Sequence, residues 1–215
     1  MSTKEVLVLV LERHQVGGYE MEKLTQNKTL TQLASLLDYP YESKHELVNK
    51  TMKEMAGNGD EAISSFEVFS KGVKNTPMDK LEELYVSTFD VQSVCSLDVG
   101  YLLFGEEYKR GQFMAQVHKL HRENNNSCGT ELPDYLPNML RLIQVLPEND
   151  AKTLVHTFIY PAIIKMEDCF TNVENFYKQL LSTIKHILHD VYQVKQADLV
   201  IYLPVVDKEE ICSQM

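Results

Sequence analysis

Gly129 to Leu146 reads GTELPDYLPNMLRLIQVL. In its second half Leu136, Leu140, Ile143 and Leu146 recur at steps of three and four, the spacing that lines one face of a helix. The first half marks where that helix begins. Pro133 suits a first helical turn, where its missing N–H would have been an unpaired donor, and Asp134 brings a carboxylate to the positive end of the helix dipole. Pro137 removes a further donor and stiffens the turn. By residue type alone, Asp134 reads as an N-terminal cap or dipole partner.

The same period continues on both sides. Leu30, Leu33, Leu36 and Leu37 mark a helix that stops at Pro40, and Leu47, Val48, Met52 and Met55 mark another, broken by Gly57-Asn58-Gly59. Ala62, Phe66, Phe69 and Val73 form a third stripe. Thr76-Pro77-Met78-Asp79 then offers a cap, a first-turn proline and an acid ahead of Leu81, Leu84, Tyr85 and Phe89. Leu97 to Phe104 is apolar nearly all round and ends at Gly105, as a buried central helix does. Phe113, Val117 and Leu120 predict the next helix, closed by the polar stretch Asn124 to Gly129. Beyond the quoted segment come Leu154, Phe158, Ile163 and Met166, with a bend expected at Pro161, and a last long helix over Val173 to Val194. This is an all-α, single-domain multi-helix bundle of about nine helices. The helical domain covers 30–194; 1–29 is an N-terminal extension and 195–215 a tail. The apolar runs Val6 to Leu11 and Leu199 to Val206 fit either a small ribbon or a packed helix and a tail.

Composition narrows the function. The 215 residues are 44% hydrophobic, enough for one sizeable core, and 9 glycines, 7 prolines and no tryptophan suit helices better than a turn-rich β sandwich. A net charge of −10 disfavours nucleic acid or an anionic membrane as a partner and favours a cationic peptide. Cys95, Cys128, Cys169 and Cys212 are widely separated, so the sequence offers neither a zinc ribbon nor a disulfide framework, and reduced thiols are expected. The Val6 to Leu11 run is too short and too acidic at its flanks for a signal peptide or a span, so the expected location is the cytoplasm.

Catalytic chemistry finds little footing. His118/His121 and His186/His189 have i, i+3 spacing but lie outside any H-E-x-x-H pattern, so solvated or packed histidines explain them better than a metal. There is no G-x-S-x-G elbow, P-loop or G-x-G-x-x-G. Asp90, Asp98, Glu106 and Asp134 are read first as caps or solvated acids, and Lys109-Arg110-Gly111 as a charged face. Tyr85, Phe89, Tyr101, Phe104 and Tyr135 are core-like in spacing, yet core residues at a helix junction also build apolar grooves that wait for a peptide helix.

Five stretches together carry a resemblance: Leu33-Ala34-Ser35-Leu36-Leu37-Asp38-Tyr39-Pro40, Leu84-Tyr85-Val86-Ser87-Thr88-Phe89-Asp90, Ser96 to Glu106, Lys109-Arg110-Gly111, and Glu131-Leu132-Pro133-Asp134-Tyr135-Leu136-Pro137. In order and spacing they resemble the nitrate reductase delta subunit (NarJ-type) branch of the TorD/DmsD-like redox enzyme maturation chaperones, over roughly residues 30 to 190. Tyr135 stands where that family commonly carries histidine. The resemblance implies a non-enzymatic chaperone, monomer or weak dimer, with no stably bound cofactor. It would bind the N-terminal leader segment of the catalytic subunit of a molybdopterin-dependent oxidoreductase, assist molybdenum cofactor insertion, and delay membrane docking or twin-arginine export. The expected peptide-binding residues are Tyr85, Phe89, Asp90, Tyr101, Phe104, Glu131, Pro133, Asp134, Tyr135, Leu136 and Pro137, with Asp134 and Tyr135 at the rim. A helical scaffold or regulator unrelated to metalloenzymes, and a metal-dependent hydrolase using the histidine pairs, are the other two readings.

Overall fold

The computed structural model describes residues 28–90, 93–171 and 174–195. Among the described residues there are nine helices and no strand: α1 (Lys28–Leu37), α2 (Lys44–Glu54), α3 (Asp60–Lys74), α4 (Met78–Phe89), α5 (Val99–Phe104), α6 (Tyr108–Glu123), α7 (Leu136–Leu142), α8, and α9 (Tyr177–Tyr192). Helix α8 is continuous through Glu148–Leu154, a π-helical turn at Val155–Ile159, and Tyr160–Cys169. The expected all-α bundle is therefore what forms. Among the described residues the first helix begins at Lys28, just inside the stretch read as an extension. The two apolar terminal runs lie outside the described residues.

One hydrophobic cluster runs through all nine helices. Helix α1 buries residues all around its axis, Leu30, Leu33, Ala34, Leu36 and Leu37 among them, because α2, α7 and α9 pack about it. The most extensive helix pairing is α3 with α9. Phe69 of α3 meets Phe176 and Tyr177 at the start of α9, with ring centroids 5.8 Å apart in both pairs. Burying such side chains contributes roughly 1.5–3 kcal/mol each. Gly72 permits the approach: a Cβ there would sit 2.4 Å from Cδ1 of Phe176.

Three local expectations change. Thr76 does not cap α4; its hydroxyl donates to the Gly72 carbonyl at 2.7 Å, closing the end of α3, and Pro77 takes the N-cap position. Pro133 precedes α7, and it is Pro137 that occupies the first turn. The irregularity expected at Pro161 appears as the π turn immediately before it. Pro161 has no N–H to offer the Thr157 carbonyl, and widening the ladder there accommodates the missing bond.

Two glycine substitutions separate these effects. Gly72→Ala forces the Phe176 ring to move and should cost about 1–3 kcal/mol. Gly111→Ala, in α6 with nothing within 4 Å of the new Cβ, should stabilise by about 0.5–1 kcal/mol. Urea unfolding of the two variants checks the contrast; equal effects would contradict the α3–α9 packing described above.

Candidate functional site

The motif-bearing stretches meet around the start of α5. Asp98 and Tyr135 form an isolated antiparallel bridge, in which the Val99 amide donates to the Asp134 carbonyl (2.9 Å) and the Leu136 amide to the Leu97 carbonyl (2.8 Å). The Gly100 amide donates to Oδ2 of Asp134 at 3.1 Å. The first two amides of α5, which have no partner within the helix, are thus satisfied by one residue from a distant turn. Gly100 must be glycine for this: a Cβ would stand 2.7 Å from Asp134 Oδ2 and 2.9 Å from the Phe113 ring.

Arg110 closes the cluster. Its Nη2 donates to Asp98 Oδ2 at 3.0 Å, its Nε lies 3.7 Å from Asp134 Oδ2, and its guanidinium sits 5.3 Å from the centre of the Tyr101 ring. Asp134 is fully buried, and burial pushes its carboxyl above the usual range; the Asp98 charge adds to this, while Arg110 and the Gly100 amide oppose it. Burial also raises Asp98 against the pull of Arg110.

The loop ahead of the turn is held from below. Nδ1 of His121 accepts from Asn126 Nδ2 at 2.8 Å, which leaves Nε2 to carry the proton and donate to the Pro133 carbonyl at 3.0 Å. Burial lowers the His121 pKa, keeping the ring neutral. Nδ2 of Asn138 donates to the carbonyls of Cys128 and Leu132, 3.1 Å each.

Above this frame opens a groove of about 560 Å³. Tyr39, Tyr41, Tyr85, Phe89, Tyr135, Leu97 and Leu132 supply apolar wall, Asp38, Asp90, Asp98 and Glu131 supply carboxylates, and among the described residues neither lysine nor arginine lines it. Tyr39 and Tyr41 remain 51% and 48% exposed, a large aromatic area left to solvent. Asp38 is paired with Arg141, as Asp98 is with Arg110. Asp90 and Glu131 are exposed and have no ion-pair partner among the described residues. A second hollow of about 440 Å³, beside Tyr108, Arg110 and Met114, shares Leu132 with the first.

The groove floor is a hydroxyl network. Tyr85 and Tyr135 place their hydroxyls 3.0 and 3.2 Å from the Leu37 carbonyl and 3.0 Å from each other. The Leu37 carbonyl belongs to the last turn of α1 and lacks a helical partner, so these hydroxyls satisfy it. Burial pushes the Tyr85 hydroxyl up to about 12 and raises that of Tyr135 as well. Below Tyr85 lies Lys44, 1% exposed, donating to the Tyr177 hydroxyl (3.0 Å) and the Asp38 carbonyl (3.3 Å). Its Nζ is 5.1 Å from the Tyr177 ring centre and 5.6 Å from that of Tyr85. Burial draws its pKa down to about 7, with the Asp38 charge opposing.

Of the residues expected to bind a peptide, Tyr85, Phe89, Asp90, Glu131 and Tyr135 line the groove together. Tyr101 lies outside it under Arg110, and Phe104 is core, 5.5 Å from the Phe113 ring. Leu136 and Pro137 are buried in the first turn of α7, and Pro133 is tied to His121. Asp134 is not at the rim: it is fully buried, with Oδ2 held by the α5 amide and facing Arg110, so in this structure it positions the turn. Arg110, read as a solvated charge, is instead enclosed between two carboxylates and a ring. Asp38, Tyr39 and Leu132, which lie in the resembling stretches, and Tyr41, which lies outside them, line the groove without being among the expected peptide-binding residues. Their signal was the Tyr39-Pro40-Tyr41 sequence, two aromatic rings fixed outside a helix end by proline.

The histidine pairs do not converge. His121 serves the Pro133 turn, Nδ1 of His186 is 3.1 Å from Glu61, and Nδ1 of His189 is 2.9 Å from Asp190. Among the described residues, no group of three metal-ligating side chains comes together. A scan of the sequence against protein-family models finds no match, and a search of curated proteins finds no similar sequence.

Lys44 generates a pH prediction. Its folded pKa lies below its ordinary value of 10.5, so between about pH 7 and that value the unfolded chain holds a proton the folded chain does not. Stability should therefore climb as pH rises from about 7 to about 9, by at most ~1.4 kcal/mol per pH unit from this residue. The buried tyrosines act in the opposite sense only as the unfolded chain's phenols ionise near pH 10. Lys44→Met should flatten the slope in urea titrations across that window; an unchanged slope would mean the lysine is charged in its cage.

Proposed function

We propose that this chain is a system-specific cytoplasmic chaperone. In this reading it binds the N-terminal segment of a molybdopterin-dependent oxidoreductase catalytic subunit, keeps that subunit open to molybdenum cofactor insertion, and holds back its membrane docking or twin-arginine export. The observation that carries the reading is the groove: among the described residues it has aromatic walls, four carboxylates and no basic side chain, assembled where the stretches resembling NarJ-type chaperones meet. An amphipathic leader helix lays its apolar face on Tyr39, Tyr41 and Phe89, and its basic residues face Asp90 and Glu131, the two carboxylates without an ion-pair partner. The chaperone itself performs no chemistry; the molybdenum cofactor belongs to the client.

Copurification from the native host followed by identification of the bound subunit tests the assignment. A molybdopterin-dependent subunit is the expected capture, and a partner of another class would favour the helical scaffold. A synthetic peptide of the captured subunit's N-terminus should bind as a helix with affinity on the order of micromolar, because ordering it costs ~2–5 kcal/mol. Replacing both Tyr39 and Tyr41 by alanine should weaken binding by about tenfold or more with little change in melting temperature, since both rings are half-exposed. Asp90→Asn with Glu131→Gln should reduce the dependence of affinity on salt. If calorimetry finds both double variants unchanged, the groove is not the peptide site.

A further inference from the structure

The polar groups of the groove can accept hydrogen bonds but have few hydrogens to give. Ionised Asp90 and Glu131 are acceptors only, and Asp38 and Asp98 already accept from Arg141 and Arg110. In the floor the Tyr85 and Tyr135 hydroxyls own one hydrogen each. They stand 3.0 and 3.2 Å from the Leu37 carbonyl and 3.0 Å from each other, so both hydrogens are engaged among these three oxygens. Ser96 Oγ accepts the Asp98 amide at 3.1 Å. The hydroxyls still able to donate, those of Tyr39, Tyr41 and Ser96, are neutral, and among the described residues no lining side chain is cationic. A ligand that fits must therefore bring the N–H groups and the positive charge itself.

The walls add a second requirement. Tyr39, Tyr85 and Phe89 touch in series, with Tyr39–Tyr85 centroids 5.5 Å apart at 75° and Tyr85–Phe89 centroids 5.3 Å apart at 62°. Such rings attract ammonium groups with their negative faces and methylenes with their apolar area. The chain already seats one amino group in this cluster: Lys44 Nζ lies 5.6 Å from the Tyr85 ring centre and 5.1 Å from that of Tyr177. A hydrated metal ion would satisfy the acids but not the rings, and among the described residues no three metal-ligating side chains converge. A quaternary ammonium would satisfy the rings but has no N–H for the acceptors. The cavity, about 560 Å³, falls within the roughly 300–1,000 Å³ of small-molecule sites. Its two acids without an ion-pair partner stand on separate elements, Asp90 at the end of α4 and Glu131 in the turn before α7. Two anionic stations on an aromatic wall suit a chain with a cation at each end and methylenes between.

We propose that the groove binds a free linear aliphatic polyamine, its methylenes lying along Tyr39, Tyr85 and Phe89 and its ammonium groups on Asp90 and Glu131. The paired acids Asp38 and Asp98 add to the negative field without giving up their arginines. The half-exposed Tyr39 and Tyr41 close over the methylene chain from the rim. The inference rests on the groove alone and needs no client; a peptide seated in the same place competes with the amine.

Titration calorimetry of the full-length chain with spermidine, a linear triamine cationic at neutral pH, tests this. At about 0.1 M salt the screening length is about 10 Å, which damps the diffuse attraction of a chain with net charge −10 for any cation. Spermidine should still bind saturably, and Asp90→Asn with Glu131→Gln should weaken it by about tenfold or more. Glu67→Gln with Asp79→Asn removes the same two charges from exposed positions outside the groove and should change affinity by less than about twofold. Tyr39→Ala with Tyr41→Ala should weaken binding by roughly fivefold or more. In the wild-type chain, magnesium ion at equal charge should displace little of the spermidine. Equal losses in the two charge variants, ready displacement by magnesium, or no saturable binding would overturn the proposal, and the last two readings need no variant to fold. A chain that binds its client's peptide in the groove but no spermidine refutes this inference alone; one that binds spermidine but no peptide refutes the chaperone reading alone.

Discussion

A carboxylate with no exposed surface holds the site in register. Asp134 accepts the Gly100 amide with its side chain and the Val99 amide with its carbonyl, and so caps a helix that begins far upstream of it. A neutral backbone bond contributes about 0.5–1.5 kcal/mol and one to a charged carboxylate about 1.5–3 kcal/mol, and the loss of one partner strands the other in a dry interior. Everything at the groove follows from that tie. It sets Asp98 opposite Tyr135, leaves the Asp98 carboxylate for Arg110, and carries the Tyr135 ring to the hydroxyl of Tyr85 at the end of α1.

The same interaction explains what could and could not be read from the chain. Helix positions follow from the spacing of Leu, Ile, Val and Phe, because burial of one face is a local pattern, and the helices lie where that pattern places them. Helix ends were read less well. Asp134 and Thr76 are residue types that cap their own helices, but Asp134 is taken by α5 and Thr76 by the end of α3. Side-chain hydrogen bonding competes between local and distant partners, and a linear reading sees only the local ones. The groove was half legible: the aromatic residues of α4 and the Tyr135 turn were identified, whereas Tyr39, Tyr41 and Lys44 depend on α1 and α2 folding back against α4.

Paired and unpaired carboxylates divide the groove's work. Asp38 and Asp98 are partly buried, and each is matched with an arginine, Arg141 or Arg110, that does not itself line the groove. Burial nevertheless raises both pKa values, so the pairing only partly offsets desolvation. Asp90 and Glu131 stay exposed and hydrated. The buried pairs therefore build the wall and contribute a negative field, and the exposed pair is free to meet incoming charge without first breaking a bond.

Rigidity then matters as much as charge. The wall at Ser96 to Asp98 is anchored by the Cys95 amide at one end and the Asp98–Tyr135 bridge at the other, the turn from Glu131 to Asp134 is held by His121 and Asn138, and the floor is fixed by the hydroxyls on Leu37. If the groove binds a peptide as proposed, a wall already fixed would spend little of the binding energy on ordering itself. Tyr39 and Tyr41 are half-exposed beside Pro40, and Tyr39 meets the Tyr85 ring of the floor edge-on at 5.5 Å. In the peptide-binding reading proposed above, their exposed faces would meet the apolar side of a helix while the frame beneath keeps its register.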